Sequence, residues 1–135
     1  MALNRIWANK GKKIVILDTS AILTLFEFSI DLEDELTRLL GSYEIIIPSA
    51  VLSELKLLSE SGKGNKKIKS KAALKLIEKY KIFNIDAKNA DDSVFLLAKK
   101  LNGFVFTNDG ELKNRIKKIS LPVIYLRSKQ KLVIE

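Results

Sequence analysis

The sequence contains neither cysteine nor histidine. Disulfide bonds, zinc–thiolate sites and mechanisms built on Cys–His or Ser–His–Asp arrangements are therefore excluded. No apolar run approaches the ~20 residues that span a membrane, and segment 1–13 lacks the apolar stretch of a secretory leader. Any chemistry must then use carboxylates, hydroxyls, amides, lysines, arginines or a bound metal ion. We expect a soluble, cytoplasmic protein.

Two hydrophobic runs end at aspartate. Ile14-Val15-Ile16-Leu17 stops at Asp18, and Phe104-Val105-Phe106-Thr107 stops at Asn108-Asp109. Runs of this composition predict interior strands of a parallel sheet. Open α/β sheets bind their ligands outside the carboxyl ends of the strands. We therefore expect both aspartates to lie where such a fold carries out its chemistry.

The remaining chain alternates between helical and strand patterns, without an internal repeat. The predicted strands are 13–17, 44–47, 82–85, 104–107 and 122–126, and the predicted helices are 20–28, 31–40, 49–61, 69–80, 90–101 and 111–119. This alternation predicts a three-layer α/β/α domain with a central parallel sheet of about five strands. A single domain is expected over 1–135, with its core at about 13–126. Segment 62–67 is predicted to be a flexible basic loop, and the tail 127–135 either adds an edge strand or contacts a partner.

Two further carboxylates are predicted to face the same site from helices. Glu54 borders the apolar stripe of its helix, next to Leu55, and Asp91 continues the stripe that contains Val94. Asp92 lies ~100° further round the same helix, and the adjacent pair leaves open which aspartate is the inner one. Taken singly, each acid also has a structural explanation as a helix cap, a turn residue or a partner for a lysine.

A cluster of four inward carboxylates requires cations, because bare acids repel one another and their pKa values rise. Ligands that are all oxygen favour the hard ions Mg²⁺ or Mn²⁺. Two such ions ~4 Å apart can clamp the attacking and leaving oxygens of a phosphoryl displacement. The formal net charge of +8 suggests a polyanionic substrate, although lysine richness also occurs for solubility or thermophilic composition.

The order Asp, Glu, Asp, Asp on this frame resembles the PIN-domain ribonucleases over about 13–126. The matching motifs are Leu17-Asp18-Thr19-Ser20, Pro48-Ser49-Ala50-Val51-Leu52-Ser53-Glu54-Leu55, Ala90-Asp91-Asp92-Ser93 and Phe106-Thr107-Asn108-Asp109. The resemblance implies an endoribonuclease that depends on Mg²⁺ or Mn²⁺ and leaves a 5′-phosphate and a 3′-hydroxyl. It implies the catalytic metal ligands Asp18, Glu54, Asp91 and Asp109. It implies supporting contacts from Thr19, Ser20, Asp92, Thr107 and Asn108.

The same resemblance implies two possible roles. One is the toxin of a toxin–antitoxin pair, whose partner is an antitoxin protein, and the other is ribosomal-RNA processing among ribosome-assembly factors. A homodimer is also implied. Glu111 lies near the site without an assignable role.

Basic residues are expected to hold the RNA, whether single-stranded or structured. The candidates are Lys63, Lys66, Lys67, Lys113 and Arg115. Most aromatic residues lie in apolar patterns and are predicted to belong to the core: Phe26, Phe28, Tyr43, Phe83 and Phe95.

Two phosphoryl-transfer alternatives fit less well. Haloacid-dehalogenase chemistry requires a second aspartate where Ser20 stands, and a receiver domain orders its acids differently. A non-catalytic domain that binds RNA or protein remains the main alternative.

Overall fold

The computed structural model describes residues 12–135. The prediction about a secretory leader therefore lies largely outside the described residues. Six strands form one sheet in the order β3-β2-β1-β4-β5-β6. They are β1 (Lys13–Leu17), β2 (Tyr43–Pro48), β3 (Lys81–Phe83), β4 (Phe104–Phe106), β5 (Val123–Arg127) and β6 (Lys131–Ile134). The five predicted strands pair in parallel, and β6 runs antiparallel to β5.

Helices flank this sheet and complete the predicted three layers. They are α1 (Thr19–Glu27), α2 (Leu32–Leu40), α3 (Ser49–Ser61), α4 (Asn65–Ile77), α5 (Ala90–Leu101) and α6 (Gly110–Lys118). None of the helices in the described part is long and apolar enough to cross a membrane.

The central strands explain why their sequences are continuously apolar. Ile14 is 5% exposed, and the next three residues of β1 are fully buried. Because β1 lies between β2 and β4 and is covered on both faces, neither side of the strand tolerates polar residues. In the register of this sheet Leu17 pairs with Phe106. The residues that follow these two strands therefore emerge side by side at the carboxyl edge.

The segment predicted as a flexible basic loop is shorter than expected. Gly64 adopts a φ of +58°, a conformation that favours glycine, and α4 begins at the next residue. Lys66 and Lys67 consequently lie in the first turn of a helix, where the Ser70 hydroxyl donates to the Lys66 carbonyl at 2.7 Å. The prediction of a loop over 62–67 was wrong at its end. The chain turns at Gly64 and becomes helical at the next residue, so no longer loop is needed.

The tail adds an edge strand, which was one of its two predicted roles. A turn centred on Ser128 and Lys129 returns the chain, and the Gln130 N–H donates to the Arg127 carbonyl at 3.2 Å. The outer backbone of β6 is paired with α2: the Leu132 N–H donates to Glu35 at 2.7 Å and its carbonyl accepts from Arg38 at 2.7 Å. These contacts cover an edge that would otherwise expose unpaired backbone groups.

Candidate active site

A cavity of about 350 Å³ at the carboxyl ends of the central strands contains all four predicted acids. The acids arrive from separate elements, two after strands β1 and β4 and two on helices α3 and α5. The cavity, here called the acid cavity, is lined by Asp18, Thr19, Ser20, Leu23, Glu54, Leu58, Lys66, Asp91 and Asp109. The structure thus brings together residues that are distant along the chain.

Asp18 is held firmly by the residues around it. Its Oδ1 accepts from the Ser20 N–H, and its Oδ2 accepts from the Ser20 hydroxyl at 3.1 Å. The Thr107 hydroxyl also donates to Oδ2, and Thr107 Oγ1 accepts from the Asp109 N–H at 3.0 Å. Because Thr107 is fully buried, it links the acid that follows β1 to the acid that follows β4 and fixes both.

The pKa directions show that the acids act on one another. Burial raises the pKa of Asp18, against the lowering effect of its hydrogen bonds from Thr107 and Ser20. Partial burial also raises the pKa of Asp91, and the negative charges of Asp109 and Glu54 raise it further. A cation among these carboxylates would offset the repulsion that raises the pKa of Asp91.

The two adjacent aspartates of α5 have different surroundings. Asp91 lines the acid cavity, whereas the Asp92 carboxylate forms an ion pair with Arg115 at 3.0 Å. The Arg115 guanidinium also lies over the Phe95 ring, 4.5 Å from its centroid. The structure therefore puts Asp91 inside, and Arg115, expected to contact RNA, is engaged with its own protein.

The remaining predicted residues occupy distinct places. Asp109 Oδ1 caps α6 by accepting from the N–H groups of Glu111 at 2.8 Å and Leu112 at 3.1 Å. The Asn108 side chain accepts from the Leu126 N–H at 2.9 Å, so it braces β5 and does not line the acid cavity. Glu54 is exposed. Although Glu54 lies beside the apolar stripe of its helix, its carboxylate reaches solvent and does not require a buried partner for its charge.

Two residues expected near the site have surroundings that their motifs did not show. Lys66, expected among the residues that hold RNA, lines the acid cavity beside the four acids, because α4 begins before it. The Thr19 hydroxyl is buried without a hydrogen-bond partner, and a buried hydroxyl in that state is costly. This oxygen, beside four carboxylates, is available to a ligand in the cavity.

The chemistry of this site fits a hard cation. Every acidic group offers oxygen, and the described residues include no histidine or thiolate to favour a softer metal. Within residues 12–135 no three acidic side chains are spaced to hold an ion as they stand. Glu54 and Asp91 are exposed side chains, and such side chains change rotamer at little cost.

Comparison with known proteins identifies the family. Residues 15–129 match the family model described as a PIN like domain. The chain belongs to the PIN-like domain family. The PIN-domain resemblance of the sequence motifs is thereby confirmed, and the other phosphoryl-transfer folds are set aside.

Relatives of this PIN-like chain include two archaeal ribonucleases. The chain is 33% identical over 120 residues to Ribonuclease VapC4 of Methanocaldococcus jannaschii, covering 86% of this chain and 92% of the relative. It is 28% identical over 127 residues to Ribonuclease VapC9 of Archaeoglobus fulgidus, covering 94% and 93%. A solved structure of the PIN domain endonuclease Utp24 superposes with a TM-score of 0.74 and 26% identity, covering 90% of each chain.

Proposed function

We propose that this PIN-like domain protein is an endoribonuclease that depends on Mg²⁺ or Mn²⁺. The observation that carries the proposal is the acid cavity itself, which four carboxylates from different parts of the chain line together with one lysine. The relatives named as ribonucleases, matched over more than nine tenths of their length, support RNA as the substrate. Single-stranded RNA and structured RNA both fit a backbone-directed site.

The residues that would hold one or two ions are Asp18, Glu54, Asp91 and Asp109. When bound, such ions lower the pKa of a coordinated water and neutralise charge that develops on a phosphate. Thr107 and Ser20 hold the Asp18 carboxylate in one orientation. Thr19 offers its unpartnered hydroxyl to a ligand in the cavity. Since the chain has no histidine, it lacks the acid–base pair that forms 2′,3′-cyclic phosphates, and we expect 5′-phosphate and 3′-hydroxyl ends.

Lys66 is placed to contact the phosphate that is cleaved. Both Lys63 and Lys66 are exposed, but only Lys66 lines the acid cavity, and this gives it a role that Lys63 does not share. We assign Lys63, Lys67 and Lys113 to contacts with the RNA on either side of the cleaved phosphate. Arg115 supports Asp92, which in turn leaves Asp91 as the cavity acid of that pair.

Cleavage of a labelled single-stranded RNA pool tests the proposal. Wild type should cleave in Mn²⁺ or Mg²⁺ and not in EDTA, and Asp109→Asn should lower cleavage by at least ~100-fold because it removes a charged ligand. Asp31→Asn is the matched control. Asp31 caps α2 by accepting from the Asp34 N–H at 3.0 Å, as Asp109 caps α6, but it does not line the acid cavity. Asp31→Asn should retain activity.

The cut sites then separate the two roles. Cleavage confined to precursor ribosomal RNA would support a processing enzyme that works with ribosome-assembly factors. Cleavage of other RNAs would support a toxin restrained by an antitoxin protein. A homodimer is proposed for either role. Absence of both cleavage and metal binding in the purified wild type would favour a non-catalytic RNA- or protein-binding domain.

A further inference from the structure

A groove of about 520 Å³ lies beside the acid cavity. Asp109 lines the acid cavity and the next residue, Gly110, lines the groove. Thr107 also lines the groove while its hydroxyl holds Asp18. The other walls come from the end of α1, from α6, and from β5 with its turn. The acid cavity and the groove therefore lie next to each other at the carboxyl edge of the sheet.

The groove contains two unusual aromatic side chains. The described part has nine phenylalanines and tyrosines, and only Phe28 and Tyr125 neither belong to the hydrophobic core nor pack against it. Both are half-buried and both line the groove. The prediction that Phe28 belongs to the core was therefore wrong. Aromatic rings that the core does not use are available to stack with a ligand.

A lysine ammonium group lies over each of these rings. The Lys113 ammonium lies 3.7 Å from the centroid of Tyr125, and the Lys129 ammonium lies 5.7 Å from the centroid of Phe28. No acidic side chain lines the groove within the described residues, although Glu135 lies 3.5 Å from Lys113 and accepts from the Tyr125 hydroxyl at 3.2 Å. Rings paired with cations fit the alternating bases and phosphates of a single strand. Stacking of a base on an aromatic ring is stronger than the contact between the ring and an ammonium group. A bound base would therefore displace the ammonium, which could then pair with a phosphate.

Lys129 occupies a backbone conformation that lysine rarely adopts. Ser128 and Lys129 have φ values of 56° and 60°, and turns of this kind prefer asparagine and glycine. A non-glycine residue in the left-handed region carries strain, and strain of this kind concentrates at ligand-binding positions. The strained turn keeps the Lys129 ammonium near the Phe28 ring.

Gly110 leaves space where the two cavities meet. A Cβ atom built there would have no neighbour within 4 Å, and the residue is helical without a positive φ. Neither packing nor backbone conformation therefore requires glycine at this position. Glycine leaves this position, beside Asp109 of the acid cavity, free of a side chain.

We propose that this groove binds an unpaired nucleotide that flanks the phosphate in the acid cavity. The base stacks on Tyr125 or Phe28, and the adjoining phosphates contact Lys113 and Lys129. The inference rests on the proposed ribonuclease function for the position of the phosphate, but not for the affinity of the groove for single-stranded RNA.

The first arm of the test measures binding by fluorescence anisotropy of a labelled single-stranded oligoribonucleotide in EDTA. Tyr125→Leu and Phe28→Leu keep apolar bulk and remove the ring, and each should weaken binding about tenfold. Lys129→Gly should weaken binding and lower the slope of log K against log salt by about 0.7. Its melting temperature should stay equal or rise, because glycine relieves the strained φ.

Ser120→Gly is the matched control, since it relieves a positive φ of 62° at a residue that lines neither the groove nor the acid cavity. It should bind RNA as the wild type does. Equal weakening by Ser120→Gly and Lys129→Gly would overturn the role of the ammonium.

The second arm measures cleavage in Mn²⁺. Tyr125→Leu and Phe28→Leu should each raise KM about tenfold with kcat nearly unchanged. An oligonucleotide that lacks one base beside the cleaved bond should show the same rise in KM with wild type. With the variant that combines both substitutions, removal of that base should cause no further rise. Weakened binding by the variants without any cleavage by wild type would overturn the ribonuclease proposal and support the groove. Cleavage with unchanged Kd and KM would overturn the groove and point to a protein segment as its occupant.

Discussion

At the scale of single residues, the site is organised by one threonine and one lysine. Thr107 joins the acids of two strands through its single hydroxyl, and Lys66 is the cation that reaches the acid cavity. Thr107 fixes the position of the Asp18 carboxylate, and the Lys66 ammonium offsets part of the negative charge of the acids. The first effect is strengthened by the burial of Thr107, whereas Lys66 is exposed and acts through its place beside the acids.

Replacing Lys66 tests the second effect. Lys66→Ala should lower kcat by about 10- to 100-fold if the ammonium stabilises charge on the cleaved phosphate, with a smaller change in KM. Steady-state cleavage of a short single-stranded RNA provides the measurement. Lys63→Ala, three residues earlier and exposed outside the acid cavity, should alter only KM. Equal effects of the two variants on kcat would contradict the assignment.

The acids after strands β1 and β4 could be predicted from sequence, while the choice between Asp91 and Asp92 could not. The first prediction needs only a local apolar run and the rule that ligands bind at the carboxyl ends of strands. The second is decided by Arg115 on another helix. No pattern within α5 contains that information, because both aspartates lie at its first turn.

At the scale of elements, helices α3 and α5 matched their predicted bounds, because both show a clear apolar stripe. The predicted start of α4, at residue 69, was wrong because the chain turns at Gly64 and the helix begins at Asn65. The antiparallel direction of β6 was also not predicted. Its place depends on α2, whose Glu35 and Arg38 bind its outer backbone, and the sequence of the tail does not show that contact.

The stability of the β6 edge follows from Leu132. This side chain is fully buried in the core, so Leu132→Ala should lower the free energy of unfolding by ~2–5 kcal/mol. Urea denaturation followed by circular dichroism measures the change. Ile134→Ala on the same strand is the control: its side chain is 40% exposed, and the loss should be clearly smaller. A small loss for Leu132→Ala would show that the edge is dispensable.

At the scale of the whole molecule, the acid cavity should destabilise the metal-free protein as pH rises. The folded state holds the pKa of Asp91 above its ordinary value of 3.8, so it binds this proton more tightly than the unfolded chain does. The free energy of unfolding therefore falls as pH rises from 3.8 through the raised pKa. Asp91→Asn removes this loss.

The difference between Asp91→Asn and wild type isolates this residue from other titrating groups. Measured by urea denaturation in chelator at several pH values, the stability of Asp91→Asn relative to wild type should increase across that window and then level off. Addition of Mn²⁺ at neutral pH should raise the melting temperature of wild type more than that of the variant, because an ion that binds only the folded state stabilises it. A difference independent of pH would refute the raised pKa.

The link between Thr107 and Asp18 joins residues that are 89 positions apart in the chain. Contacts of such separation close late in folding, after the entropy of a long loop has been lost. On the ribosome, a nascent chain that ends before β4 holds three of the four acids but lacks both the fourth and the strand that precedes it. The proposed active site is therefore assembled only after most of the chain has been made, and on this proposal a polypeptide released before β4 would not cut the RNA around it.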